Sequence, residues 1–249
     1  MIRFLITSSF VILFLVLGSP LLLAEYIIGK SDPEKMSRSS LKIVQWAFRC
    51  VLVLSGTKLT VVGRENIPED RPVLYVGNHR SYFDIVIGYT LIKRECGFIA
   101  KKEMARYPLL SNWMRNLHCQ FLDRENLKEG LKTILAAVDC VKNGVSIWVF
   151  PEGTRSREER MLPFKDGSFK IAERSGCPII PVAMHRTADI FENHFPRMKR
   201  TQVTVEFGAP VPTAGLSKEE KKDLSRKIRE MIQTMLDNEP APATPALHE

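Results

Sequence analysis

The chain has 249 residues, 45% of them hydrophobic and 26% charged, a composition that excludes a disordered or fibrous protein and leaves room for a proper core. Its formal charge of +8 turns it toward anionic partners: nucleic acid, a membrane surface or a phosphorylated substrate. Five scattered cysteines, odd in number and without C-x2-C spacing, argue against a disulfide framework or a zinc site and for reduced thiols in a cytosol-facing domain.

The first element chooses among those partners. From Phe4 to Ala24 the chain carries no charge, over a length that matches a bilayer crossing. A cleaved signal peptide would want small residues at both positions of an A-x-A site, and Leu22 stands at one of them. Residues 1–30 therefore read as an uncleaved membrane anchor, with Pro20 able to bend or end the helix and make a shallower, hairpin-like insertion. Arg3 alone precedes the apolar run, whereas Lys30, Lys35, Arg38, Lys42 and Arg49 follow it. By the positive-inside tendency, the bulk of the chain sits at the cell membrane on its cytoplasmic side.

Residues 31–57 hold a second helix. Arg38, Lys42, Gln45 and Arg49 share one stripe, with Leu41, Val44, Phe48, Val51 and Leu52 opposite. Such a helix suits the interface of an anionic membrane, and it would equally pack its apolar face on its own domain. The interfacial reading is favoured by its position directly after the anchor, and it makes a membrane, not nucleic acid, the anionic partner.

From residue 58 to 238 short apolar runs alternate with helical stretches. Strands are expected at 58–63, 72–77, 97–100, 120–123, 146–150, 179–184 and 202–208, and helices at 82–94, 103–117, 126–142 and 166–175. Ser217 and Glu220 make a capping box for a last amphipathic helix carrying Leu224, Ile228, Ile232 and Met235. The pattern is that of an α/β fold, a mostly parallel sheet of about seven strands flanked by helices and preceded by the membrane-anchoring helical segment. The Pro/Ala-rich tail 239–249 reads as disordered.

Two segments carry a histidine and an aspartate five positions apart: His79 to Asp84 in "NHRSYFD" and His118 to Asp123 in "HCQFLD". The second lies in or beside a strand, where the two side chains would stand roughly 16 Å apart on opposite faces. The first leaves a strand end and enters a helix, so the chain can fold back and bring carboxylate to imidazole. That contact fixes the histidine tautomer and supports the imidazolium formed when it takes a proton. A capped Asn-His turn is the plainer alternative. "FPEGTRS" (150–156) also follows a strand and combines an open backbone, a hydroxyl and a guanidinium able to grip phosphate. It does not match the phosphate loop of nucleotide triphosphatases.

Four blocks in order, "NHRSYFD" (78–84), "FIAKKEMARYP" with "FLDR" (98–124), "FPEGTRS" (150–156) and "IIPVAM" (179–184), resemble the glycerolipid acyltransferases, above all the 1-acyl-sn-glycerol-3-phosphate acyltransferases. "LPFKDGSFKIA" (162–172) is similar to the family's FK-x-G segment, while Arg80 and Ser111 stand where the family often has Gln and Gly. The resemblance implies that His79 is the general base for the sn-2 hydroxyl of a lysophospholipid and that Asp84 orients it. The alkoxide would attack the thioester of acyl-CoA or acyl-carrier protein directly, without an acyl-enzyme and without a metal or further cofactor. Ser81 is too near His79 along the chain to be a nucleophile, and no G-x-S-x-G elbow exists. By the same resemblance Glu152, Gly153, Thr154 and Arg155 bind the acceptor, with Arg155 on its phosphate. Lys101, or Lys102 in its place, and Arg124 add positive charge for the phosphate or the developing oxyanion. Another lysophospholipid acceptor, a hydrolase and a non-catalytic membrane-binding relative are the competing readings.

Overall fold

The computed structural model describes residues 1–158 and 160–239, so the expected disorder of the tail lies, but for residue 239, outside the described residues. Seven strands form one sheet: β1 (Lys58–Val62), β2 (Leu74–Gly77), β3 (Cys96–Lys101), β4 (Gln120–Leu122), β5 (Ser146–Val149), β6 (Ile179–His185) and β7 (Gln202–Phe207). Their order is β1-β7-β6-β2-β5-β3-β4. Every neighbouring pair is parallel except β6 with β7, which bears out the mostly parallel α/β sheet.

The period-2 alternation of the strands builds two cores. Tyr75, Phe98, Trp148, Val182 and Val205 face one way, under α3 (Pro33–Ser55) and α4 (Phe83–Leu91). Leu74, Val76, Ile147 and Ile179 face the other, under α6 (Leu127–Lys142), α7 (Lys170–Ser175) and α8 (Lys218–Asp237). The predicted capping box opens α8, with Ser217 and Glu220 bonding reciprocally. The expected helix 103–117 is split. Tyr107, held extended by the following Pro108, separates a 3₁₀ turn from α5 (Pro108–Asn116), because proline disfavours helical backbone in the residue before it.

The N-terminal run differs from one straight crossing. It divides at Gly18 into α1 (Ile2–Leu17) and α2 (Ser19–Ser31), the two inclined by 46°, with Pro20 in the first turn of α2. Among the described residues no single helix is long and apolar enough to span a membrane, although this bent pair together has the length and composition. A second correction concerns α3. Leu41, Val44, Val51 and Leu52 are buried against the domain, so the apolar face that the pattern offered to lipid is sealed within the protein. Gln45 also turns inward and donates to the Tyr89 and Ile92 carbonyls at 3.0 and 2.9 Å, satisfying the end of α4. What remains apolar and exposed lies mainly on α1 and α2 (Leu5, Ile12, Leu17, Leu23) and at Trp46. Phe4, at the start of α1, stacks on Phe191 at 5.2 Å between ring centroids.

Candidate active site

β2 and β5 are adjacent and parallel, so the loops leaving their C-terminal ends meet. The chain after β2 enters α4 on one face of the sheet, while the chain after β5 leads to α7 on the other. Divergence of this kind opens a crevice beyond the strand ends, where α/β sheets bind their ligands.

Asn78 pins the first loop. Its amide donates to the Met184 carbonyl at 3.0 Å and accepts from the Met184 N–H at 2.8 Å, in full burial. The main chain of His79 is then held by the second loop: its N–H donates to Glu152 Oε1 at 2.7 Å and its carbonyl accepts from the Ser156 N–H at 2.8 Å. The His79 ring stacks on Phe150 with centroids 4.3 Å apart and planes 12° from parallel. Its Nδ1 lies 2.7 Å from Asp84 Oδ2. Asp84, fully buried in the first turn of α4, uses the same oxygen to accept the Arg80 and Ser81 N–H groups, each at 2.8 Å. Three donors thus converge on Oδ2 at the start of a helix, while the buried Oδ1 has no partner among the described residues. With Nδ1–H committed to Asp84, the unprotonated nitrogen of a neutral His79 is Nε2. Ser81 has other work. Its hydroxyl donates to Glu192 at 2.7 Å and accepts from the Phe83 N–H at 3.0 Å.

The second loop divides into an inner and an outer part. Glu152 is buried, and both of its oxygens serve the backbone, Oε1 on His79 and Oε2 on the Leu162 N–H at 2.8 Å. Burial, the dominant influence, pushes its carboxyl above the usual range, against those two hydrogen bonds. Glu152 thus braces the backbone of both loops, one oxygen to each amide. Gly153 takes a left-handed backbone (φ +75°), where a side chain would also crowd Lys165. Thr154 is exposed beside it. The guanidinium carbon of Arg155 sits over the Tyr82 ring, 3.6 Å from its centroid, with Nη1 3.3 Å from Glu192 Oε1.

Arg124 reaches across from the end of β4 to donate to the Gly153 carbonyl. Lys102 is taken by Asp123 at 2.9 Å, whereas Lys101, the last residue of β3, is exposed and its ammonium has no bonded partner among the described residues. Hydrogen bonds thus join His79 to Asp84 and Glu152, and Arg124 to Gly153, while Arg155 is tied to Asp84 through Glu192 and Ser81; Thr154 is exposed beside them and Lys101 stands apart. Glu192, far away in sequence, had no spacing signal to betray it. A polar cavity of 270 Å³ lies behind the loops, lined among others by Arg80, Arg160, Arg186, Glu152, Asp237 and Glu239. Those six charges cancel, and neither His79 nor Arg155 lines it.

The sequence profile of the Acyltransferase family matches residues 58–185, the span that carries both loops. The chain belongs to the acyltransferase family. A 1-acyl-sn-glycerol-3-phosphate acyltransferase of Saccharomyces cerevisiae is 32% identical over 210 residues, covering 81% of this chain and 69% of the relative. One from Borreliella burgdorferi is 30% identical over 205 residues, covering 81% and 78%. The crystal structure of the 1-acyl-sn-glycerophosphate acyltransferase PlsC from Thermotoga maritima superposes with a TM-score of 0.82 at 27% identity, over 98% of this chain and 97% of that one. The two-loop site of this acyltransferase therefore sits within a fold shared almost end to end, N-terminal helices included.

Proposed function

We propose that this acyltransferase moves an acyl chain from a thioester, acyl-CoA or acyl-carrier protein, to the sn-2 hydroxyl of 1-acylglycerol-3-phosphate, giving phosphatidate. The observation that carries the reading is the 2.7 Å His79–Asp84 pair, set on the strand next to the one that presents Arg155. Nε2 of His79 takes the hydroxyl proton as the oxygen attacks the thioester carbonyl. A C–O bond forms, the C–S bond breaks, and the imidazolium returns its proton to the leaving thiolate. Asp84 steadies the positive charge in between. The Ser81 hydroxyl is already spent on Glu192, which supports direct transfer without an acyl-enzyme. Arg155 grips the acceptor phosphate, Gly153 and Thr154 give it access, and Lys101 and Arg124 add positive charge. Glu152 acts as a positioning residue through the His79 backbone. The chemistry needs no metal or cofactor beyond the donor.

The enzyme works, in this reading, at the cytoplasmic face of the cell membrane, with the bent α1–α2 pair as its anchor. An open apolar groove of 610 Å³ between α1 and α3, lined by Phe10, Leu13, Phe14 and Trp46 with Lys42 at its edge, supports contact with an anionic lipid surface. Glu25, the acid of α2, turns inward to accept from the Ser39 hydroxyl at 2.7 Å, which spares lipid a buried charge.

The test is an acceptor panel. Membranes bearing the enzyme are given labelled acyl-CoA and a series of lysophospholipids, beside the His79→Ala variant. Lysophosphatidate-dependent phosphatidate, lost in the variant, is expected. Fatty acid released without any acceptor would point to a hydrolase, and full activity in His79→Ala would sink the mechanism.

A further inference from the structure

Between β6 and β7 the chain runs "FENHFPRMKR" (191–200), with one acid against three arginines and lysines. The segment lies beyond the residues matched by the family profile and carries none of the predicted site residues. Its inner side is fixed. Glu192 bonds Ser81, Tyr82 and Arg155, and Met198 packs on the core under α3 and α4. Its outer side is open: Phe195 is 71% exposed, and Arg197 and Lys199, on either side of Met198, are exposed as well. The nearby acids are committed elsewhere, Asp189 to Arg186 at 3.5 Å and Glu192 to Arg155.

An aromatic row joins this open side to α1. Phe195 meets Phe191 edge to face with centroids 5.5 Å apart, and Phe191 in turn stacks on Phe4. Around Phe4, the start of α1 exposes Ile2, Leu5 and Ile6. Arg3 arrives beside Arg200, for a Cβ added to Gly56 would touch both side chains. Gly56 closes α3, so those two cations stand at its carbonyl end, where the helix dipole already accounts for them. Arg197 and Lys199 have no such duty.

An exposed aromatic, flanked by uncommitted cations and continued by bare aliphatic side chains, fits the boundary between lipid and water. Nucleic acid would answer the charge but would leave Ile2, Leu5 and Ile6 in water, whereas hydrocarbon covers them. We propose that residues 195–200 form a second membrane contact, in which Phe195 enters the interface and Arg197 and Lys199 bind the phosphates of anionic phospholipids. The proposal rests on reading α1 and α2 as the membrane anchor. Two points of contact also fix the tilt of the domain on the bilayer.

The experiment puts a tryptophan on the segment, as Phe195→Trp in the full-length enzyme. The enzyme is bound to phosphatidylcholine vesicles brominated near the head groups, with and without phosphatidylglycerol. Trp113 and Trp148 are buried, whereas Trp46 is 56% exposed in the groove between α1 and α3 and so reports the anchor. With phosphatidylglycerol present, the emission gained from Phe195→Trp is expected to be quenched. Adding Arg197→Gln and Lys199→Gln should lower the engaged-to-free ratio of the segment about 30-fold, at roughly 1 kcal/mol per basic residue near an anionic surface. High salt should weaken the contact while both cations are present and have little effect once they are gone. Quenching of Trp46 without quenching at position 195 would overturn the proposal and leave the anchor intact. Quenching at neither position would remove the anchor reading along with it. Quenching at position 195 that is equal with and without phosphatidylglycerol, and unmoved by Arg197→Gln with Lys199→Gln, would overturn the assignment to anionic lipid. All three altered side chains are exposed, so the fold does not depend on them.

Discussion

Residues 79–84 and 118–123 carry the same pair of side chains at the same spacing, and the backbone between them sends the pairs to different ends. In the first, the chain turns out of β2 into α4, and His79 Nδ1 meets Asp84 Oδ2 at 2.7 Å. In the second, His118 closes the turn after α5 with a left-handed backbone (φ +59°), and β4 then carries Asp123 away. His118 Nε2 bonds the Ser37 hydroxyl at 2.8 Å, fastening α3 to the domain, while Asp123 bonds Lys102. One pair closes on itself in a single hydrogen bond, the one we propose serves proton transfer, and the other makes two separate structural ties. Residue type and interval are therefore empty until the path of the chain between them is known.

The contrast can be broken at four points, the largest effect first. His79→Ala should lower kcat by about 10²- to 10⁴-fold, the usual worth of a general base, whereas His118→Ala should leave kcat/KM within about twofold. A parallel loss in both would erase the distinction. Asp84→Asn should cost about 10²-fold in kcat. It should also cost about 1–3 kcal/mol of stability, because the amide weakens the bonds on Oδ2 by losing the charge and buries an NH2 group where Oδ1 finds no partner. The loss is read from kinetics beside a denaturant titration. Next, His118→Gln should cost about 1 kcal/mol, the net value of one hydrogen bond, with activity retained.

The smallest effect is on pH dependence. Burial holds the His118 imidazole below its ordinary value of 6.5, and His185 likewise. A lowered histidine means that the unfolded chain binds more protons than the folded one, so this stability is complete above pH 6.5 and drains away as pH falls below it. The melting temperature of the wild type should drop between pH 7.5 and 5.5, and less in His118→Gln, where His185 still contributes. Equal slopes would show that His118 titrates freely.

Much of this architecture was readable before any coordinates. All seven strands came through with boundaries shifted by one or two residues, since alternating apolar residues report directly on the two cores. His79, Asp84 and the 150–156 loop were readable because each follows a strand end. Three things were hidden, each for a physical reason. The apolar stripe of α3 cannot say whether lipid or protein will cover it, as both are oil to Leu41 and Val44. Glu152 reads like any loop acid until the His79 and Leu162 amides are found on it. Glu192 joins the site only because β6 lies beside β2, and that adjacency is a property of the sheet order.

The stacking of Phe4 on Phe191 sets the first turn of α1 against the segment that leads into Glu192. With the α1–α2 pair anchored in the bilayer as proposed, the mouth of the crevice would lie near the lipid head groups. A lysolipid can then offer its phosphate and hydroxyl while its tail stays in hydrocarbon, avoiding a transfer into water that costs about 0.8 kcal/mol per methylene. Substrate and product would then both remain in the leaflet, and the encounter would be a search in two dimensions. Turnover would follow the surface density of lysolipid in the membrane, and diluting the acceptor with inert lipid would slow the enzyme even at constant total concentration.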